Sequence, residues 1–404
     1  DPFRNGKTSV RGGFGVYDTL PLTYQFELLA INETPYFQTG SITTLPQGSF
    51  PNGALPLLSA NNLGYAWVQP NPKRSYVEEW NLKVRHPLAG GMLATVGYLG
   101  QHGLHQPLRT SDANIVLPTE SPEGLVWPVP RGSGTRLNPK VGAINALAWA
   151  SSNTYEAMYL SLGWTHEGLR LGGAYTFSKS IDNSSSSVAV TNFNNSVLGS
   201  FVFDPGVARG LSDFDVRQNL TLNAIWLLPR PGSATGWARW IASEWQLGGI
   251  FRAATGQPFT PVSGGDALGL NNSSTFDFPD RLNLPGCNNP VNPDNASHYI
   301  KTACFVVPQP ATLLGNSGRN IAIGPGLNNL DLSLFKNNYI HNEKLNVQFR
   351  VELFNALNHA NFSVPSRTSA QLFTQTFVPV STAGLLTTTS TTSRQIQVAL
   401  KFIW

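Results

Sequence analysis

The sequence predicts an all-β protein, an antiparallel transmembrane β-barrel, on three observations. Ten stretches alternate polar and apolar residues over about nine to eleven positions each, the length a tilted strand needs to cross a bilayer and roughly twice that of a soluble strand. The segments between them alternate between long and short in register with strand order, as extracellular loops and periplasmic turns do in outer-membrane barrels. Tryptophans on the apolar faces gather at the ends served by the short links, where an interfacial girdle would stand.

The composition agrees. Of 404 residues only 12% are charged, against about 25% in soluble domains. Glycine (38 residues) and aromatics (11%) are plentiful, which suits strands and turns. No run reaches the roughly 18 apolar residues of a transmembrane helix. The net charge of +4 is small and its lysines and arginines are scattered, so nucleic acid is not an expected partner. The chain opens on "DPFRNG", with neither an initiator Met nor an apolar signal region, and a fragment of a longer protein is expected.

Each element follows from which face of its alternation is apolar. "SVRGGFGVY" (9–17) comes first; its "GGFG" lacks the strand, turn and helix context of a dinucleotide site and reads as small residues in a packed wall. "YVEEWNLKVRH" (76–86) and "GMLATVGYLG" (91–100) are joined by "PLAG", and "YEAMYLSLGW" (155–164) and "GLRLGGAYTF" (168–177) by "THE". "DVRQNLTLNAIW" (215–226), with Val216, Leu220, Leu222, Ala224 and Trp226 on one face, leads through "LPRPGSATGWARWIAS" to "EWQLGGIFRAA" (244–254). "NLDLSLFKN" (329–337) leads through "NYIHNEK" to "LNVQFRVELF" (345–354), and "RQIQVALKFIW" (394–404) closes the set with Ile396, Val398, Leu400, Phe402 and Trp404 in one row. The long links run over 18–74, 101–152, 179–213, 255–327 and 358–393. If the last strand ends in the periplasm, all five lie outside the cell. "YQFELLA" and "YFQTGSITT" could add a hairpin within the first of them.

Depth offers a further test, because Lys or Arg facing lipid at the midplane costs about 2–4 kcal/mol and little near the interface. On the apolar faces Glu78 and Glu156 lie near the outer ends, and His86 and Lys336 near the periplasmic ends. Trp164, Trp226, Trp245 and Trp404 form the expected periplasmic girdle. A soluble β-rich protein with these faces as its core is the alternative.

The opposite faces would line the lumen. They carry Arg11, Lys83, Arg85, Arg170, Arg217, Arg252, Arg350 and Lys401 against Glu79, Asp331 and Glu352, a wall biased positive. Two readings stay open: a track for an anionic ligand, or pairing with carboxylates of a plug or of neighbouring strands. Arg170, Arg217, Arg252, Arg350, Glu352 and Lys401 are the candidates for contact with ligand or plug. Cys287 and Cys304 share one loop and are expected to form a disulfide in an oxidising compartment; zinc would need more ligands. His102 and His105 of "HGLH" would need a third ligand to hold a metal, and read better as solvated loop histidines. Asp213 and Asp215 of "SDFDVR" could serve calcium or acid–base chemistry, but turn chemistry at a strand entrance is preferred. No nucleophile and base can be paired by spacing, so no catalysis, cofactor or metal is expected. The loops, as in "NSSSSVAVTNFNNSVLGSFVFD", suit a sugar or peptide ligand and equally any solvated exterior.

Six blocks in order, "YTFSKSIDNSSS", "RGLSDFDVRQNLTLNAIW", "WQLGGIFRAATGQPFTP", "GRNIAIGPGLNNLDLSLFKN", "LNVQFRVELFNALNHANF" and "RQIQVALKFIW", resemble the C-terminal part of the β-barrel of TonB-dependent outer-membrane receptors, in particular the Oar-like group of acidobacterial type. The resemblance covers nearly the whole chain. It implies a ligand-gated active transporter in the outer membrane of a Gram-negative cell, energised through the TonB complex, with an N-terminal plug in its lumen and often a carboxypeptidase-regulatory-like domain ahead of the plug. No TonB box or plug is visible in residues 1–404. Barrels of this class have about 22 strands, so the chain is expected to supply about 10–14 of them, the C-terminal part of one barrel domain. As a free fragment, with two unpaired edges, it is expected not to form a native membrane barrel. A terminal aromatic such as Trp404 is similar to the signal by which the barrel-assembly machinery recognises clients. A passive porin and a non-transporting surface adhesin are the alternative functions.

Overall fold

The computed structural model describes residues 1–30, 34, 44–57, 65–110, 112–128, 136–185, 203–230, 232, 235–265, 268, 276–340 and 345–404. All ten alternating stretches are strands of one antiparallel sheet, each hydrogen-bonded to the next in chain order. They are β1 (Ser9–Asp18), β2 (Tyr76–Pro87), β3 (Leu93–Thr110), β4 (Ile144–His166) and β5 (Leu169–Asp182), then β6 (Gln218–Leu227), β7 (Trp245–Ala254), β8 (Leu327–Ile340), β9 (Leu345–Phe354) and β10 (Gln395–Ile403). Two short strands, Tyr65–Val68 on β4 and Gly210–Leu211 on β5, bring this sheet to 12. β1 and β10 each pair on one side only, so the sheet is open among the described residues.

Register keeps each face uniform across the wall. Gly173 lies opposite Leu222, Leu222 opposite Phe251, and Phe251 opposite Leu330, while the other face carries Ala174, Thr221, Arg252 and Asn329 in turn. Because side chains alternate with a period of two, a slip of one residue in any strand would send its arginines into the apolar face. Glycines admit large rings: a Cβ on Gly100 would stand 2.2 Å from the Trp80 indole, and one on Gly97 2.3 Å from the Tyr159 ring.

Several expectations are corrected. β3 has 18 residues, β4 has 23, and β5 and β8 have 14 each, so these strands continue past the length that crosses a bilayer. "HGLH" therefore lies inside β3 and is not a solvated loop; pairing with β4 persists to Thr110 opposite Ala146, across a bulge where His105 takes φ 52°. The second long link shrinks accordingly. "YQFELLA" belongs to a helix, α1 (Thr23–Ala30), and not to a hairpin, because Phe26 and Leu29, three apart, pack on Leu147 and Trp149 of β4. "YFQTGSITT" lies almost wholly outside the described residues. The link after β6 contains a second helix, α2 (Gly236–Ala242).

The largest correction concerns the links after β7 and β9, read above as solvated loops. They fold together. Pro258–Phe259 pairs with Ala322–Ile323, and Val262–Gly264 pairs with both Phe276–Asp277 and Gln371–Phe373. Phe259, Ile300, Phe305, Leu372 and Leu386 form a buried core drawn from both links. A second core, with Ile115, Trp127, Ala208 and Phe278, joins this unit to the links after β3 and β5.

Candidate functional site

The end of the wall that carries the long links is closed by a buried polar network. β5 ends on Asp182, whose carboxylate accepts from Arg319 Nη2; the two side chains are 2% and 0% exposed. The same Nη2 donates to Leu211 O at 2.8 Å, while Nε and Nη1 find no acceptor among the described residues. Asn320 Nδ2 donates to Leu211 O at 2.7 Å and to Asp213 Oδ1 at 2.6 Å, and Asn320 N donates to Thr260 Oγ1 at 2.9 Å. Ser180 N donates to Asp215 Oδ1 at 2.6 Å, and the Ser180 and Ser212 hydroxyls meet at 2.7 Å. Gly210 makes this approach possible, because a Cβ there would stand 2.6 Å from Arg319 O. Thus "SKSIDN", "RGLSDFD" and "GRN", far apart in sequence, meet at one point.

The preferred reading of Asp213 and Asp215 as turn chemistry needs correction. The turn exists, since Asp215 N donates to Ser212 O at 2.9 Å, but both residues are only 4% exposed and are bonded to other segments. Burial requires these partners. Among the described residues no three His, Cys, Asp or Glu side chains are grouped to hold a metal.

The lumen candidates are not gathered into one cluster. Arg217 stands 3.6 Å from the buried Asp215. Arg252 is opposite Thr221 and Asn329 near the mouth, Arg170 is opposite Thr165 and Ile225 near a short turn, and Lys401 is opposite Gln348. These three are exposed and meet no carboxylate among the described residues. Arg350 lies over the Phe335 ring at 5.0 Å and donates through Nε to Gln348. Glu352 is half-buried opposite Ser333 and Gln397.

Between the folded links and the top of the wall is a cleft of about 840 Å³, lined in part by Asn289, Asp294, Tyr299, Asn328, His359 and Phe362. Tyr299 Oη donates to Ile323 O at 2.8 Å, and burial pushes its phenol above the usual tyrosine range. His359 Nδ1 lies 3.0 Å from Asn361 Oδ1, which accepts from Asn328 N at 2.7 Å. Such a lining offers hydrogen bonds and ring faces. Sequence reasoning missed these residues because they come from separate links. The apolar positions Phe259, Ile300 and Leu372, out of place in solvated loops, were the available signal. Cys287 and Cys304 are bonded in the same unit, with Cα atoms 5.5 Å apart.

The four tryptophans of the expected girdle sit at the opposite end. Trp164 Nε1 donates to Gly90 O at 2.7 Å and its ring stacks on His166, with centroids 5.6 Å apart. Trp226 is opposite Leu169 and Leu247, Trp245 is opposite Lys336, and Trp404 is 92% exposed beyond the end of β10.

Comparison with known proteins gives this architecture a place. Residues 1–397 match the family described as outer membrane beta barrel domain. Similar solved structures include the outer membrane transporter YddB from Escherichia coli (11% identity, TM-score 0.48, covering 99% of this chain and 39% of that one). Others are the FrpB iron transporter from Neisseria meningitidis (10%, 0.44, 99% and 38%) and the pyoverdine receptor FpvA from Pseudomonas aeruginosa (10%, 0.36, 81% and 29%). The chain therefore spans about two fifths or less of these structures. A search of curated proteins found no match.

Proposed function

Because the chain belongs to the outer membrane beta barrel domain family and is a component of the outer membrane, we propose that it forms the C-terminal wall and mouth of a TonB-dependent receptor of the Oar-like group, which takes up a ligand actively and catalyses no reaction. The observation that carries this reading is the open sheet of ten long strands under a folded mouth. Hydrocarbon does not tolerate unpaired edges, so β1 and β10 call for further strands, and a barrel much wider than ten strands needs an internal plug to stay closed. The six sequence blocks resembling such receptors support the same reading. In it, the mouth captures a ligand of the sugar or peptide class, the TonB complex pulls on the plug, and Arg170, Arg217, Arg252, Arg350, Glu352 and Lys401 meet plug or ligand as the lumen opens. Trp404 ends the strand that the barrel-assembly machinery reads. Planar-bilayer recording of the intact protein tests this. A plugged receptor holds no steady open channel, whereas stepwise conductance without TonB would assign the chain to passive porins, and recovery in the aqueous fraction would make it a surface adhesin.

A further inference from the structure

The link between β6 and β7 holds more than a turn. α2 reads "GWARWIA", and Trp237, Trp240 and Ile241 stand 78%, 55% and 49% exposed. Their spacing of three and four residues puts them on one helical face, with Arg239 on the other. Water on such a face would be costly, and the question is what covers it. Contacts fix the side of the wall on which the helix lies. Lys336 Nζ is 5.3 Å from the centre of the Trp240 ring and 5.9 Å from that of Trp245, and Trp245 Nε1 donates to Ile241 O at 2.8 Å. Lys336 and Trp245 are register partners in the apolar row that continues through Leu334 and Leu247. The helix is therefore on the lipid-facing side of the wall, at the end of the strands where Trp164 and Trp226 also stand, and not under the lumen.

We propose that α2 is an interfacial anchor, lying flat in the periplasmic leaflet with Trp237, Trp240 and Ile241 among the upper acyl carbons and Arg239 among the phospholipid phosphates. Continuity with the lipid-facing row supplies the occupant: the surface that covers Leu247 and Leu334 extends without a break onto Trp240. A basic residue opposite an aromatic and aliphatic face is the composition that holds a helix in an interface plane, and indole rings settle at headgroup level. The Lys336 ammonium, at the girdle end of the apolar row, is covered by two rings that attract it and is bonded to Asn338 Oδ1 at 2.9 Å.

The test uses the intact protein in vesicles of phosphatidylethanolamine and phosphatidylglycerol whose acyl chains are brominated near the glycerol end. The emission of wild type minus Trp237→Phe isolates Trp237, and the same subtraction with Trp240→Phe isolates Trp240; heat-modifiable migration confirms that both variants fold. The expected result is a blue-shifted difference emission that brominated lipid quenches and aqueous acrylamide does not. Quenching by acrylamide instead would place the helix in water, and quenching by neither would place it under another protein; either result overturns the proposal.

Discussion

In β10, Ile396, Val398 and Leu400 are 65%, 62% and 62% exposed, whereas in the folded mouth Phe259, Ile300 and Leu372 are 5%, 2% and 2% exposed. Both regions alternate or cluster apolar residues, yet the wall turns them outward and the mouth inward. The difference lies in what solvates each. Lipid covers the wall, so its strands need only satisfy their backbone through the neighbouring strand and keep charge off the midplane. The mouth stands in water and must build a core of its own, and links of 72 and 40 residues between paired strands, 255–326 and 355–394, are long enough to do so together.

Substitutions can break this comparison from either side. The largest effect is expected in the mouth. Arg319→Met leaves Asp182 buried without its cation, which costs about 3–5 kcal/mol; limited proteolysis should cut the links after β5 and β7 while the wall keeps its heat-modifiable migration. Adding Asp182→Leu should restore most of the resistance, because a buried pair replaced by apolar groups is often neutral. In the wall, Leu222→Arg places a cation mid-strand between Gly173 and Phe251 and should cost about 2–4 kcal/mol, read as a lower folded fraction in urea. Thr221→Arg, one residue away on the lumen face, should cost far less, and equal losses would contradict the assignment of faces.

Removing the disulfide sharpens the contrast. Cys287 and Cys304 are 17 residues apart, and opening a loop of that size should cost about 3 kcal/mol. Cys287→Ala with Cys304→Ala should expose the segment between them to protease without lowering the wall's resistance to urea. The smallest change in stability is expected at Trp404, which is 92% exposed. Its deletion should leave thermal unfolding of the folded protein unchanged and lower the yield in the outer membrane; an unchanged yield would leave it a girdle residue only.

How much was legible from residues alone differs between the two regions for the same reason. A strand bathed by lipid on one face writes its structure locally, as alternation over one segment, so all ten wall strands and their facing residues can be read without a neighbour. The extensions of β3 and β4 were not readable, because pairing beyond the bilayer depends on a partner tens of residues away, as Thr110 opposite Ala146 illustrates at 36 and Tyr155 opposite Gln101 at 54. Asp182, Asp213, Asp215 and Arg319 could be seen individually as polar residues near strand ends. That they close one buried network could not be seen, since no local period links residues 137 apart. α2 was hidden for the opposite reason: seven residues are too few for a helical period to stand out in a link.

By itself, then, the sequence determined the strand order, which links lie at the same end of the sheet, and which residues of each strand share a face, because these follow from a two-residue period and from the lengths of connections. Only the tertiary structure decided that two links share a core, that Arg319 reaches Asp182, and that Trp240 and Trp245 cover Lys336. Those features rest on contacts between distant segments, whose energies depend on burial and geometry that no single stretch of sequence carries.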